Sequence, residues 1–122
     1  MPGMSRPIPI LRSFDAGKAK AFYVDYLGFA IVFEHRFKPD LPLYFAVRRG
    51  DCELHLSEHH GDATPGGAVR IAVPDVHAFC ATLLKKDYTN IRPGVTRVSY
   101  GFDEMSLLDP FGNRLIFCTS VP

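Results

Sequence analysis

One short pattern occurs twice in this chain and constrains its fold more than any other feature. After Asp15, the residues Ala19, Phe22, Tyr23, Tyr26 and Leu27 fall at i, i+3, i+4, i+7 and i+8. After Asp75, the residues Val76, Phe79, Cys80, Leu83 and Leu84 repeat that spacing. Side chains so spaced form one stripe of an α-helix, and an aspartate just ahead of the stripe can accept a hydrogen bond from the open amides of the first turn. The sequence therefore predicts two amphipathic helices, capped by Asp15 and Asp75. Gly28 ends the first, and Lys85-Lys86 lie at the carboxyl end of the second, where positive charge suits the helix dipole.

Each helix is preceded by one β-prone run and followed by three. Ile8 to Phe14 comes before the first helix, and Phe29 to Phe37, Leu43 to Val47 and Cys52 to Ser57 come after it. Val69 to Val73 precedes the second, and Gly94 to Tyr100, Glu104 to Leu108 and Arg114 to Thr119 follow it. Turn residues separate these runs at Lys38-Pro39-Asp40, Arg49-Gly50-Asp51 and Asp109-Pro110-Phe111-Gly112-Asn113, and Gly61 to Gly67 links the halves. The order is βαβββ, twice, which makes an α+β chain with modules at about 7–60 and 67–121.

A chain of 122 residues holds about one domain, so residues 1–122 are read as a single unit, and 47% hydrophobic residues are enough for a real core. Fourteen basic against thirteen acidic residues, with no basic run longer than Arg48-Arg49 or Lys85-Lys86, lack the charge that a nucleic-acid partner requires. No apolar run approaches the length of a membrane span, and Met1 to Phe14 lacks a charged segment followed by an apolar stretch, so the expected location is the cytoplasm. Cys52, Cys80 and Cys118 are odd in number and without C-x-x-C spacing, which fits reduced thiols and neither a disulfide nor a zinc knuckle.

Strand alternation sorts the candidate site residues. Cys52, Leu54 and Leu56 point one way, and Glu53, His55 and Ser57 the other; Val69, Ile71 and Val73 alternate with Ala68, Arg70 and Ala72. In the long second strand, Phe29, Ile31, Phe33, His35 and Phe37 are expected on one face, where they would wall an aromatic cavity or serve as ordinary core or dimer contacts. His55-Leu56-Ser57-Glu58-His59-His60 could present His55, Ser57 and His59 to a divalent metal, although its spacing matches no closed metal motif and a strand entering a polar loop explains it as well. His77, in the first turn of the second helix, is expected to be exposed. No nucleophile elbow, P-loop or dinucleotide glycine motif is present.

With Phe22-Tyr23-Val24-Asp25-Tyr26-Leu27-Gly28-Phe29 in the first module and Leu108-Asp109-Pro110-Phe111-Gly112-Asn113-Arg114-Leu115 in the second, the chain resembles the vicinal oxygen chelate superfamily, which includes glyoxalase I, extradiol dioxygenases and bleomycin resistance proteins. The likeness runs from about Pro7 to Thr119. It implies a curved mixed sheet with helices on its outer face. It also implies a cavity into which the family's enzymes aim four His or Glu metal ligands. Three of those positions fall on Ile8, Ala68 and Ile116; only the fourth-strand position, at Glu53 or His55 according to register, keeps a side chain able to bind metal.

Loss of the ligands is what the resemblance implies for the bleomycin resistance branch, small cytoplasmic homodimers that sequester the antibiotic unchanged. Pro7-Ile8-Pro9-Ile10-Leu11 resembles their first strand, in which a proline lets the arm cross to the partner. The implied function is metal-free and cofactor-free binding of a bleomycin-like antibiotic or another aromatic compound at a dimer crevice. Phe33, Phe37, Tyr44, Tyr100 and Phe102 would stack on the ligand, and His35, His55 and Arg70 would orient it. The near-neutral charge and Arg70 suit an anionic or carbonyl-bearing ligand better than a cationic drug. Two other readings remain: a divergent metal-dependent lyase, dioxygenase or thiol transferase that uses Glu53, His55 and His59, and a dimeric scaffold without a small ligand.

Overall fold

The computed structural model describes residues 3–36, 38–88 and 91–122. The elements follow the predicted order: β1 (Ile10–Arg12), α1 (Ala16–Lys20) running into a π-helical segment (Ala21–Tyr26), β2 (Ala30–His35), β3 (Tyr44–Arg49), β4 (Cys52–Ser57), β5 (Ala68–Ala72), α2 (Val76–Leu84), β6 (Thr96–Val98), β7 (Phe102–Leu108) and β8 (Arg114–Ser120). They form two four-stranded mixed sheets, ordered β1-β4-β3-β2 and β5-β8-β7-β6. In each sheet the strand before the helix pairs in parallel with the last strand of its module, and the remaining pairs are antiparallel. The two mixed sheets thus repeat one topology, as the doubled βαβββ pattern requires.

The helix caps form as predicted. The Asp15 carboxylate accepts from the Lys18 amide at 2.9 Å, and that of Asp75 from the Ala78 amide at 3.1 Å. The first helix is not uniformly α-helical, because from Ala21 the turns widen and the Leu27 amide donates to the Phe22 carbonyl, five residues back. A stretch this short does not separate the two periods by apolar spacing, and Ala19, Phe22, Tyr23, Tyr26 and Leu27 are all buried as that spacing predicts. Gly28 then takes a φ of 80°, beside the Arg49 guanidinium, which donates to the Leu27 carbonyl at 2.6 Å. In α2, Val76, Cys80 and Leu83 are buried, but Leu84 faces outward. The Lys86 ammonium serves the other helix, donating to the Asp25 and Tyr26 carbonyls at 3.0 and 2.7 Å.

Three strand expectations need correction: β6 covers only Thr96–Val98 of the expected Gly94 to Tyr100, because the Gly101 amide turns back onto the Val98 carbonyl at 3.3 Å, and β1 and β2 also differ. β1 is shorter than Ile8 to Phe14, because Pro7 and Pro9 have no amide to give, although the Pro9 carbonyl still accepts from His55. In β2 the register shifts between Ile31, opposite Val47, and Phe33, opposite Ala46. This β-bulge at Val32 reverses the alternation, so Phe29, Ile31, Phe33 and His35 do not share one face. Phe29 is buried against Tyr23, Ile31 lies on the Val47 side, and only Phe33 and His35 face the opposite way. Phe37 lies outside the described residues.

One continuous apolar cluster joins both modules, with Leu11, Phe22, Tyr23, Phe45, Leu54 and Leu56 meeting Val76, Leu83, Met105, Leu107, Leu115 and Phe117. Each large side chain so buried contributes about 1.5–3 kcal/mol relative to exposure. A buried polar hub explains the two resemblance motifs. The Tyr23 hydroxyl donates to Asp109 Oδ2 at 2.6 Å, and Asp109 Oδ1 accepts from the Phe111 and Asn113 amides, both at 2.8 Å. Burial beside Asp109 pushes the Tyr23 phenol far above its ordinary pKa, so it remains a donor. Asn113 extends the hub to β1, donating to the Arg12 carbonyl at 2.8 Å and accepting from the Gly67 amide at 3.2 Å. Cys52, Cys80 and Cys118 are free thiols, and among the described residues no helix is long and apolar enough to cross a membrane.

Candidate functional site

The sequence-predicted site residues separate into two clusters, one on each sheet. On the first sheet the register Phe33↔Ala46↔His55 and His35↔Tyr44↔Ser57 puts Phe33, His35, Tyr44 and His55 on the face opposite the core. The Phe33 and Tyr44 rings lie nearly parallel, 8° apart with centroids at 6.2 Å, and the His55 ring stands edge-on to both. Glu53 and His55 are on this face together, so the register question resolves in favour of both. A hydrogen-bonded chain runs through them: Glu53 Oε2 lies 2.7 Å from His55 Nε2, and His55 Nδ1 lies 2.7 Å from Tyr44 Oη. Burial, followed by the charges of Asp62 and Glu53, raises the Tyr44 pKa and keeps the phenol protonated.

The second cluster surrounds Arg70 on β5. Its guanidinium lies 4.9 Å from the Phe102 ring centroid and 5.7 Å from that of Tyr100, and it pairs with Glu104 at 2.5 Å. The Tyr100 hydroxyl also donates to Glu104, at 3.0 Å. The Arg70 hydrogen bond holds the Glu104 carboxyl below the ordinary carboxylate range. Sequence reasoning did not single out Glu104. The available signal was the face of β7 that it shares with Phe102, Ser106 and Leu108, but its partner Arg70 comes from another strand.

In both clusters an outer aromatic ring is exposed, while the His55 and Glu104 side chains are largely covered, at 14% and 15% exposed. β2 is exposed along its whole length, with Ile31, Val32 and Phe33 between 40% and 49% exposed, and Tyr100 is 64% exposed. A cleft of about 1260 Å³ touches both clusters only at their polar members. It runs along β5 between the amino-terminal arm and α2, and its walls include Glu53 and Arg70 but none of Phe33, Tyr44, Tyr100 or Phe102.

The donor set does not fit the metal of the vicinal oxygen chelate enzymes. Ile8, Ala68 and Ile116 offer only hydrocarbon, and among the described residues no group of three or more His, Cys, Asp or Glu side chains could hold a metal ion. The expected alternative of Glu53, His55 and His59 is corrected by where the strand stops. β4 ends at Ser57, whose hydroxyl donates to Asp62 at 2.6 Å and accepts from the His59 amide at 3.1 Å, turning the chain into a polar loop. His77 is exposed as expected, and it pairs with Asp103 at 2.8 Å.

The glyoxalase superfamily pattern matches residues 2–122. The bleomycin-binding protein from bleomycin-producing Streptomyces verticillus, solved with copper(II)-bleomycin, is 28% identical, with a TM-score of 0.70 over 100% of this chain and 99% of that one. A bleomycin resistance determinant encoded on the transposon Tn5 is 22% identical, with a TM-score of 0.66 over 96% of this chain and 98% of that one. A member of the glyoxalase/bleomycin resistance protein/dioxygenase superfamily from Sphaerobacter thermophilus is 21% identical, with a TM-score of 0.70 over 96% and 98% of the two chains. None of the curated proteins compared with the chain matches it. The match along the chain, the doubled topology and the shared fold together show that this protein belongs to the glyoxalase superfamily.

Proposed function

We propose that the chain is a metal-free binding protein for a flat aromatic small molecule of the bleomycin type, held without chemical change in a crevice completed by a second copy. The observation that carries this reading is the wall formed by Phe33, Tyr44 and His55, an aromatic surface with fixed polar edges whose outermost ring, Phe33, is 42% exposed. An exposed edge strand as apolar as β2 is a liability unless another surface packs on it, which supports a homodimer. Arg70, stacked over Tyr100 and Phe102, would supply the second wall from the other module. The similarity to bleomycin-binding proteins supports the ligand class, and free thiols support a cytoplasmic setting.

The charge on these faces refines the ligand. Register puts Arg12, Arg48, Arg70 and Arg114 on the same faces as the acids Glu53 and Glu104. An excess of guanidinium favours a carbonyl or anionic substituent on the ligand. The test is calorimetric titration of metal-free bleomycin into chelator-treated protein at two temperatures, so that a vanishing enthalpy at one is not mistaken for absence of binding. Saturation near one drug per chain supports the reading. No heat at either temperature with drug at about a millimolar overturns it.

A further inference from the structure

We propose that Tyr44 sets the specificity of the first wall, and that it selects flat ligands carrying a hydrogen-bond donor, such as a ring or amide N–H, over isosteres that carry only an acceptor. The inference rests on the crevice reading above and adds the ligand's chemical class. It follows from counting protons along the chain Glu53, His55, Tyr44. A carboxylate can only accept, so the 2.7 Å contact between Glu53 Oε2 and His55 Nε2 is an N–H donated by the imidazole. A neutral imidazole has one N–H, which leaves Nδ1 as an acceptor. The 2.7 Å contact at Nδ1 is then the Tyr44 hydroxyl donating inward.

With that proton committed, the Tyr44 oxygen offers the crevice only lone pairs. Among the described residues its one hydrogen-bond partner is His55. Ser57, beside Tyr44 in register, is arranged in the same sense, since its hydroxyl donates to Asp62. The raised Tyr44 pKa keeps the proton on the phenol rather than releasing it. The Phe33 ring lies nearly parallel to the Tyr44 ring, with centroids 6.2 Å apart. A flat ligand that rests on Phe33 and reaches the Tyr44 oxygen would meet an acceptor there. A ligand acceptor brought to the same place faces lone pair against lone pair.

Indole and benzofuran test this directly, because they share shape and differ in presenting an N–H or a bare oxygen. Affinities are read by titration at about pH 8, where imidazoles are ordinarily neutral, with NMR shifts locating each probe. Wild type should bind indole about three- to tenfold more tightly than benzofuran, the worth of one hydrogen bond. Tyr44→Phe should abolish that preference, and His55→Ala, which frees the phenol proton, should narrow it by improving benzofuran. If both probes shift Phe33 but bind equally, or if the preference survives Tyr44→Phe, the inference is overturned and the crevice reading stands. If neither probe shifts Phe33, Tyr44 or His55, the crevice reading fails and takes the inference with it.

Discussion

Asn113→Ala tests how the two modules are fastened together. The Asn113 side chain is fully buried and makes three hydrogen bonds: its amide nitrogen donates to the Arg12 carbonyl and to Asp109 Oδ2, both at 2.8 Å, and its oxygen accepts from the Gly67 amide at 3.2 Å. Truncation strands a carbonyl at the end of β1 and an amide at the start of β5, and takes one donor from a buried carboxylate. Two neutral bonds at about 0.5–1.5 kcal/mol each and one to a charged group at about 1.5–3 kcal/mol put the loss at about 2.5–6 kcal/mol. Against a total of about 5–15 kcal/mol for a domain, that is a large fraction. Urea unfolding at fixed protein concentration should show a lower midpoint with an unchanged slope, because the surface exposed on unfolding hardly changes. A loss below about 1 kcal/mol, the size expected for an exposed position, would refute the hub as the fastening between modules.

Three further outcomes follow from the same geometry. Phe33→Ala and Tyr100→Ala should each weaken aromatic-ligand binding by about 1–3 kcal/mol in calorimetry, and leave affinity intact only if the walls are misassigned. Hydrogen bonds from Arg97, then from His77, lower the Asp103 pKa from 3.8 to about 2. A depressed folded-state pKa gives stability that is complete above the unfolded value and lost as pH falls, so wild type should lose stability between about pH 4 and pH 2 more steeply than Asp103→Asn in urea titrations. Light scattering should give a mass of two chains, and a monomer at crevice-binding concentrations would leave the Phe33 wall uncovered.

What the sequence made legible, and what it hid, follow from whether the governing contact is local. The Asp15 and Asp75 caps and the apolar stripes act within a few residues, and both helices start where those signals put them, with the eight strands following in the expected order. β4 was legible to the residue, at Cys52 to Ser57, because its alternation is clean and Gly50 precedes it. The bulge at Val32 was hidden because Ile31, Val32 and Phe33 are all good strand residues, and counting by twos runs straight through them. The separation of the site into two walls was hidden for a related reason. Arg70 meets Glu104 only because both β5 and β7 pair with β8, and no spacing along the chain encodes that. The Glu53, His55, Tyr44 chain is intermediate. Alternation put Glu53 and His55 on one face, but only the β3 to β4 register delivers Tyr44 to His55.

The central claim is that the Phe33, Tyr44 and His55 face is where ligand binds. Its most direct test is NMR shift mapping on chelator-treated protein titrated with metal-free bleomycin. The account predicts saturable shifts at Phe33, Tyr44 and His55, with Arg70, Tyr100 and Phe102 following as the opposing wall. Shifts confined to the cleft residues Phe29, Ile71 and Phe79, or no saturable shifts anywhere, would contradict it.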